Sequence, residues 1–257
     1  MAKLTFLGTC SGTEPFENMH HTSFIIEENG RIYWFDVGEN SSRIAFLKGK
    51  DMLAVNSVFI SHPHIDHIGG IFGLLFNIHK MTYVKKEMQK DGKTNFFLPT
   101  KTLWKNICDV VSEGERGYFN RVKCEGTPIT DGLVFENEDI RVTAFHNEHM
   151  GISEDGEWKS FTFAIEVGGK RVIYSGDFDR FSELDDIIDG GCDILICESG
   201  HHKVADILAY AESKKIKRLY FNHHGREIIY DRKGMEAIAE KYPYSATIAS
   251  DGMEIDV

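Results

Sequence analysis

Val58-Phe59-Ile60-Ser61-His62-Pro63-His64-Ile65-Asp66-His67-Ile68-Gly69-Gly70 is an apolar strand that runs straight into three imidazoles and one carboxylate. Neutral imidazole nitrogen and carboxylate oxygen are the donors that zinc and its first-row neighbours accept. Alternate residues of an extended segment share a face, so His62 and His64 can converge, while the turn that follows aims Asp66 and His67 elsewhere. Four donors in six residues exceed what one tetrahedral site needs locally, and two adjacent metals are the expectation. Gly69-Gly70 lets the backbone turn tightly beside them. The competing reading is a polar turn that is histidine-rich by chance, which the rarity of histidine disfavours.

A site for two ions needs roughly six or seven protein donors, so further ligands should sit at later strand ends. Ile140-Arg141-Val142-Thr143-Ala144-Phe145 ends in His146-Asn147-Glu148-His149, and Arg171-Val172-Ile173-Tyr174-Ser175 ends in Gly176-Asp177. Arg218-Leu219-Tyr220-Phe221-Asn222 ends in His223-His224-Gly225. His146 competes with His149 and His224 with His223.

The 257 residues are 42% hydrophobic and 27% charged, a composition suited to a globular protein with a sizeable core. The start, Met1-Ala2-Lys3-Leu4-Thr5-Phe6, does not read as a signal peptide, and no apolar run approaches the roughly 18 residues of a membrane span. The expectation is a cytoplasmic protein with no membrane partner. Cys10, Cys108, Cys124, Cys192 and Cys197 have no C-x-x-C spacing, so neither a disulfide framework nor a zinc ribbon is indicated. A net charge of -11 opposes an extended grip on nucleic acid and favours a small-molecule or short nucleotide substrate. Whether the chain forms a homo-oligomer is not readable.

Strand-like runs recur at 4–7, 24–26, 32–35, 58–60, 140–145, 161–167, 172–174, 194–196, 219–221 and 247–249. Helical patterns occupy 68–79, 101–112, 204–214 and 234–241. Residues 85–94 and 153–159 read as surface excursions, and no linker divides the chain, so residues 1–257 are expected to form one domain. The strands come in runs rather than in strict alternation with helices, which suits an α/β fold of two mixed sheets packed face to face with helices outside.

His62-x-His64-x-Asp66-His67 resembles the signature of the metallo-β-lactamase superfamily, and the later strand ends resemble the motifs that supply its lone histidine, bridging aspartate and final histidine. The resemblance implies a four-layer αββα sandwich with halves related by a pseudo-twofold, although no sequence repeat is visible. It also implies that His62, His64 and His149 hold one metal, that Asp66, His67 and His223 hold the other, and that Asp177 bridges them. The family's spacing favours His149 over His146 and His223 over His224. Phe6-Leu7-Gly8-Thr9-Cys10-Ser11-Gly12 and Asp36-Val37-Gly38-Glu39 resemble segments of ribonuclease Z and related phosphodiesterases. That likeness implies a glycine loop near the metals, Asp36 bonding a ligand histidine, and Glu198 close by. His202, from His201-His202-Lys203-Val204, is taken as the counterpart of the group's leaving-group histidine.

Two divalent ions, zinc first with manganese and iron sharing its ligand types, would turn a bridging water into hydroxide near neutral pH. Asp66 and His202 are the residues expected to be catalytic, the first within the dinuclear centre and the second donating a proton to the leaving oxygen. The expected function is a dinuclear metal-dependent hydrolase of a phosphodiester, whether a small or cyclic one or an RNA end. A lactonase, thioesterase or β-lactamase of the same fold is the alternative, and an iron-dependent oxidoreductase is more remote. No long basic arm of the transfer-RNA-processing kind is visible, which favours the smaller substrates. Of the other histidines, His20 and His21 read as loop residues and His79 as surface, while Phe72, Leu74, Leu75 and Phe76 read as helix core.

Overall fold

Fourteen strands form, ten of them on the apolar runs and four (Thr94–Leu98, Cys124–Pro128, Gly132–Glu136 and Glu254–Asp256) outside them, and the computed structural model describes residues 1–257. In chain order they are β1 (Lys3–Gly8), β2 (Ser23–Glu28), β3 (Arg31–Phe35), β4 (Val55–Phe59), β5 (Thr94–Leu98) and β6 (Cys124–Pro128), followed by β7 (Gly132–Glu136), β8 (Ile140–His146), β9 (Phe161–Val167) and β10 (Lys170–Tyr174). The last four are β11 (Cys192–Ser199), β12 (Ile216–His224), β13 (Ser245–Ile248) and β14 (Glu254–Asp256). They form two seven-stranded sheets, ordered β14-β1-β2-β3-β4-β5-β6 and β13-β12-β11-β10-β9-β8-β7. In the first, β14 to β3 pair antiparallel and β3 to β6 parallel. In the second, β7 to β10 pair antiparallel and β10 to β13 parallel. The same pairing pattern therefore occurs twice, a twofold relation carried by topology without sequence similarity.

The inner faces meet in a core of 24 buried residues drawn from both sheets. Phe24, Phe35, Phe59 and Phe97 stack across β2 to β5 with ring centroids 5.0, 4.9 and 5.0 Å apart. Rings in register on one sheet face gain from stacking beyond the area they bury. Helices α1 (Ser41–Leu47), α2 (Ile65–Ile68), α3 (Ile71–Lys85), α4 (Lys101–Gly114) and α5 (Tyr118–Arg121) belong to the first half, and all but α1 follow β4. A second core of 22 residues joins these helices to the outer face of the first sheet. Helices α6 (Asp185–Ile188), α7 (Val204–Glu212), α8 (Arg226–Tyr230) and α9 (Arg232–Ala239) cover the second sheet through a third core of 19 residues. This is the four-layer αββα arrangement. No helix is long and apolar enough to cross a membrane.

Several local expectations change. Phe72 and Phe76 are partly exposed, and α3 buries Leu74, Leu75, Ile78 and His79 instead. His79 is thus not a surface residue, since its ring packs 5.3 Å from that of Tyr118. Residues 85–94 are not wholly superficial, because Gln89 is buried and its amide bonds Thr94 and the Lys123 carbonyl.

Strand direction explains where the site lies. The strands β1, β3 and β4 run one way in the first sheet, and β8, β10, β11 and β12 run one way in the second. The last residues of β11 and β12 carry Glu198 and His223, and the segments just after the other strands carry Gly12, Asp36, His62 to His67, His149 and Asp177, so that all gather at one edge of the sandwich.

Candidate metal centre

The first donors come from the turn after β4. His64 is still extended when α2 begins, so His62 and His64 lie together with His62 Nε2 3.0 Å from His64 Nδ1. His149 Nε2 comes within 3.4 Å of the same His64 nitrogen, and Asp177 Oδ2 lies 3.6 Å from His62 and 3.8 Å from His149. One proton can bridge one pair of imidazole nitrogens but not three converging ones, so these lone pairs suit a shared cation.

The single turn α2 carries Asp66 and His67 to a second group completed by His223. His223 Nε2 lies 3.0 Å from Asp66 Oδ2 and 3.4 Å from Asp177 Oδ2, while His67 Nε2 lies 3.4 Å from Asp177 Oδ1. Asp177 thus faces both groups. Its approach depends on Gly176, where φ is 55° and a side-chain carbon would sit 2.6 Å from the Phe161 carbonyl oxygen.

His223 rather than His224 turns inward because of an irregularity in β12. The pairing shifts at Glu198/Ser199, and His223 takes a φ of 50°, unusual for a non-glycine residue. His224 is buried elsewhere, donating from Nε2 to the Ala249 carbonyl at 2.9 Å. His146 also stays outside, stacked 4.0 Å from Trp158 and bonded to Asp131.

Behind the donors stand groups that fix their tautomers. Buried Asp36 accepts from His67 Nδ1 at 2.8 Å, leaving Nε2 without a hydrogen-bond partner and its lone pair free to face the cluster. The same carboxylate accepts from the Ser61 backbone and hydroxyl and from Tyr174 Oη at 2.5 Å. Glu198 lies 3.7 Å from His223 Nδ1 and accepts from the backbone N–H groups of Gly200 and His201. Tyr174 and Ser61 were not singled out in the sequence, because each looks like an ordinary strand-end residue.

Under the protein's own charges, burial pulls His62, His64 and His149 below the ordinary histidine pKa and keeps them neutral. Burial opposes ionisation of Asp66 and Asp177 as well, but the facing histidines outweigh it and hold both carboxyls low. Three buried atoms of the cluster, His67 Nε2, Asp177 Oδ1 and His223 Nδ1, have no hydrogen-bond partner. Against the effect of burial, Asp177 and Asp36 push His67 up, and Asp177, Asp66 and Glu198 push His223 up to about 9, so in the second group the imidazoles take up the positive charge that the carboxylates call for. Neutral imidazoles in the first group, ionised carboxylates in both and unmatched buried atoms fit a pair of divalent cations, which would displace those protons.

His202 lies to one side of this cluster, with Nε2 3.6 Å from Glu198 Oε1. Its Nε2 donates to the Phe178 carbonyl at 3.0 Å, and its ring packs against Phe178 and Phe181. His201 occupies the facing position instead, with Nδ1 3.0 Å from Glu198 Oε1 and 3.7 Å from Asp177 Oδ2. Two adjacent histidines before a helix look alike in sequence, and only the bond from His202 to the chain after Asp177 separates them.

The donors open into a cleft of about 510 Å³ with no apolar residue in its wall. Ser11, Gly12 and Thr13 from the loop after β1 form one side, and a side-chain carbon on Gly12 would come within 3.1 Å of the Asp66 carboxylate. Arg226 is also in the wall, and nothing in its local sequence marks it as a cleft residue.

The family model described as Anti-Pycsar protein Apyc1 matches residues 2–234. Ribonuclease Z of Archaeoglobus fulgidus is 24% identical over 311 aligned residues, covering 99% of this chain and 97% of its own. Among solved structures, the metallo-β-lactamase fold protein YhfI from Bacillus subtilis superposes with a TM-score of 0.73 at 16% identity, over 99% of this chain and 98% of that one. The short form of human tRNase Z gives a TM-score of 0.71 at 18% identity, over 99% of both chains.

Proposed function

We propose that this chain, which belongs to the family described as Anti-Pycsar protein Apyc1 and carries the metallo-β-lactamase fold, is a metal-dependent phosphodiester hydrolase acting through residues 1–257 as one domain. The observation that carries the reading is Asp177, a buried carboxylate within 3.8 Å of His62 and His149 on one side and within 3.4 Å of His67 and His223 on the other. With His64 and Asp66, these residues would hold two divalent ions, zinc before manganese or iron. When bound, such ions supply Lewis acidity toward an anionic phosphate and activate water.

The chain's own residues then divide the remaining work. Asp36 and Glu198 orient His67 and His223 from behind, so the donors keep their geometry through turnover. His201, facing the cleft with Glu198 at its Nδ1, rather than His202, is placed to give a proton to the leaving oxygen. The glycine loop after β1 leaves room for a phosphate beside Asp66.

The net charge of -11 and the small polar cleft support a small or cyclic phosphodiester. An RNA end is the second reading, favoured by the full-length ribonuclease Z relatives. Protein purified without chelator should contain close to two equivalents of zinc or manganese and should hydrolyse bis(p-nitrophenyl) phosphate. Comparing a cyclic nucleotide with a 3′-extended transfer RNA separates the two readings. Activity on lactones or thioesters with none on any phosphodiester would overturn both.

A further inference from the structure

Arg226 is the only lysine or arginine in the wall of the metal cleft, a wall that also includes His64, Asp66, Asp177, His201 and His223. Its guanidinium does not point idly to solvent. Nη1 and Nη2 donate to the two carboxylate oxygens of Glu14 at 2.8 and 2.7 Å, a fork-on-fork geometry that a phosphoryl group can take equally well. Nη1 also donates to Tyr230 Oη at 2.8 Å, and the Tyr230 ring meets Phe16 edge-on, so the arginine is oriented before any ligand arrives.

Glu14 is poorly suited to be a permanent partner. Both side chains of the pair are about half exposed, at 54% and 52%, and exposed ion pairs contribute little to stability. The loop that carries Glu14 is tied down without it, through Cys10 N–H to the His20 carbonyl, Ser11 Oγ to the His224 carbonyl and His224 N–H to the Thr9 carbonyl. The contact therefore occupies Arg226 without being needed to hold the loop.

We propose that Arg226 is a specificity-determining residue that takes anionic oxygens of the substrate, and that Glu14 is an internal competitor which such a substrate must displace. The pair thereby screens ligands by charge: a neutral ester or lactone cannot replace a carboxylate on the guanidinium, whereas a phosphate can. This deepens the phosphodiesterase reading and rests on it for substrate class. The anionic oxygens can belong to the scissile phosphate or to a second phosphate on the same molecule.

The test uses thymidine 5′-(p-nitrophenyl phosphate) with and without a 3′-phosphate, on metal-loaded protein whose metal content is measured for each variant. Arg226→Ala is expected to raise KM about tenfold with kcat within about threefold. A rise on both substrates assigns Arg226 to the scissile phosphate, and a rise on the 3′-phosphorylated substrate alone assigns it to a second phosphate. Glu14→Gln should lower KM by roughly threefold for the same substrates. Inorganic phosphate binding by calorimetry gives a readout without turnover, with Arg226→Ala binding more weakly and Glu14→Gln more tightly than the wild type. If the wild type hydrolyses neither substrate, the phosphodiesterase reading fails while calorimetry still decides the role of Arg226. Unchanged KM and phosphate affinity in Arg226→Ala would overturn the inference. So would a loss in Glu14→Gln that matches the loss in Arg226→Ala, because the pair would then be a structural strap.

Discussion

The two edges of the sandwich both concentrate carboxylates, yet they neutralise them differently. At the edge beyond the metal cleft, the Asp139 side chain is fully buried and takes hydrogen bonds from Arg31 at 2.9 Å, Asn29 at 2.6 Å and Tyr33 at 2.9 Å. Asp193, nearby, is met by Lys217 and by the Arg171 backbone. At the cleft edge Asp66, Asp177 and Glu198 have only imidazoles as ion-pair partners. A buried carboxylate with a fixed cation is a finished structural element. One whose only partners are titratable imidazoles has no permanent cation beside it, and the arrangement suits a metal ion in that place.

The sharpest way to break this comparison is to remove a carboxylate from the cleft edge. Asp66→Ala and Asp177→Ala should each lower kcat/KM on bis(p-nitrophenyl) phosphate by about a thousandfold or more and reduce bound metal, with the fold retained by circular dichroism. Full activity in either variant would remove the dinuclear reading. His201→Ala comes next, with kcat falling about a hundredfold and the loss deepening as the leaving group becomes more basic, the signature of a missing proton donor. His202→Ala should leave that leaving-group dependence as in the wild type and lower the melting temperature instead. The opposite pattern would reinstate His202.

Smaller effects sharpen the contrast. His149→Ala should lose more metal than His146→Ala, measured by plasma emission on dialysed protein, because only His149 meets His64 and Asp177. At the other edge Asp139→Asn should leave metal content untouched and cost about 2–3 kcal/mol of stability, less than a wholly buried pair would because Arg31 is partly exposed. That penalty carries a pH signature. Burial pushes the Asp139 carboxyl up, but bonds from Asn29, Arg31 and Tyr33 outweigh it and leave the pKa below the ordinary 3.8. A depressed carboxyl stabilises the fold above its unfolded pKa, so the gap between wild type and variant should be full above about pH 5. It should shrink as pH falls below 4 and through the folded value. A constant gap down to pH 2 would show that charge is not its source.

Much of the cleft edge was readable because its donors are chemically distinctive and follow apolar runs. His62, His64, Asp66, His67 and Asp177 come together, as do His149 and His223, which the family resemblance favours over His146 and His224. Less was readable where identity is ambiguous. Strand β5 lies at the end of a polar stretch and has too few residues to show a period, and α3 turns Phe72 and Phe76 outward despite their apolarity. The Glu14 and Arg226 pair is 212 residues apart in the chain and has no local signal at all.

The sequence by itself determined the donor types, their attachment to strand ends and hence the chemistry of the edge, because apolar periodicity and metal-ligand character are local properties of neighbouring residues. The tertiary structure alone decided which of His201 and His202 faces inward, and it supplied the backbone turn that brings in His223, which the family resemblance had favoured over His224. It alone placed Arg226 beside the cleft and repeated one pairing pattern in two dissimilar halves. Those outcomes depend on a strand irregularity, a backbone carbonyl and a loop brought from far along the chain, and contacts of that kind exist only once the two sheets have closed on each other.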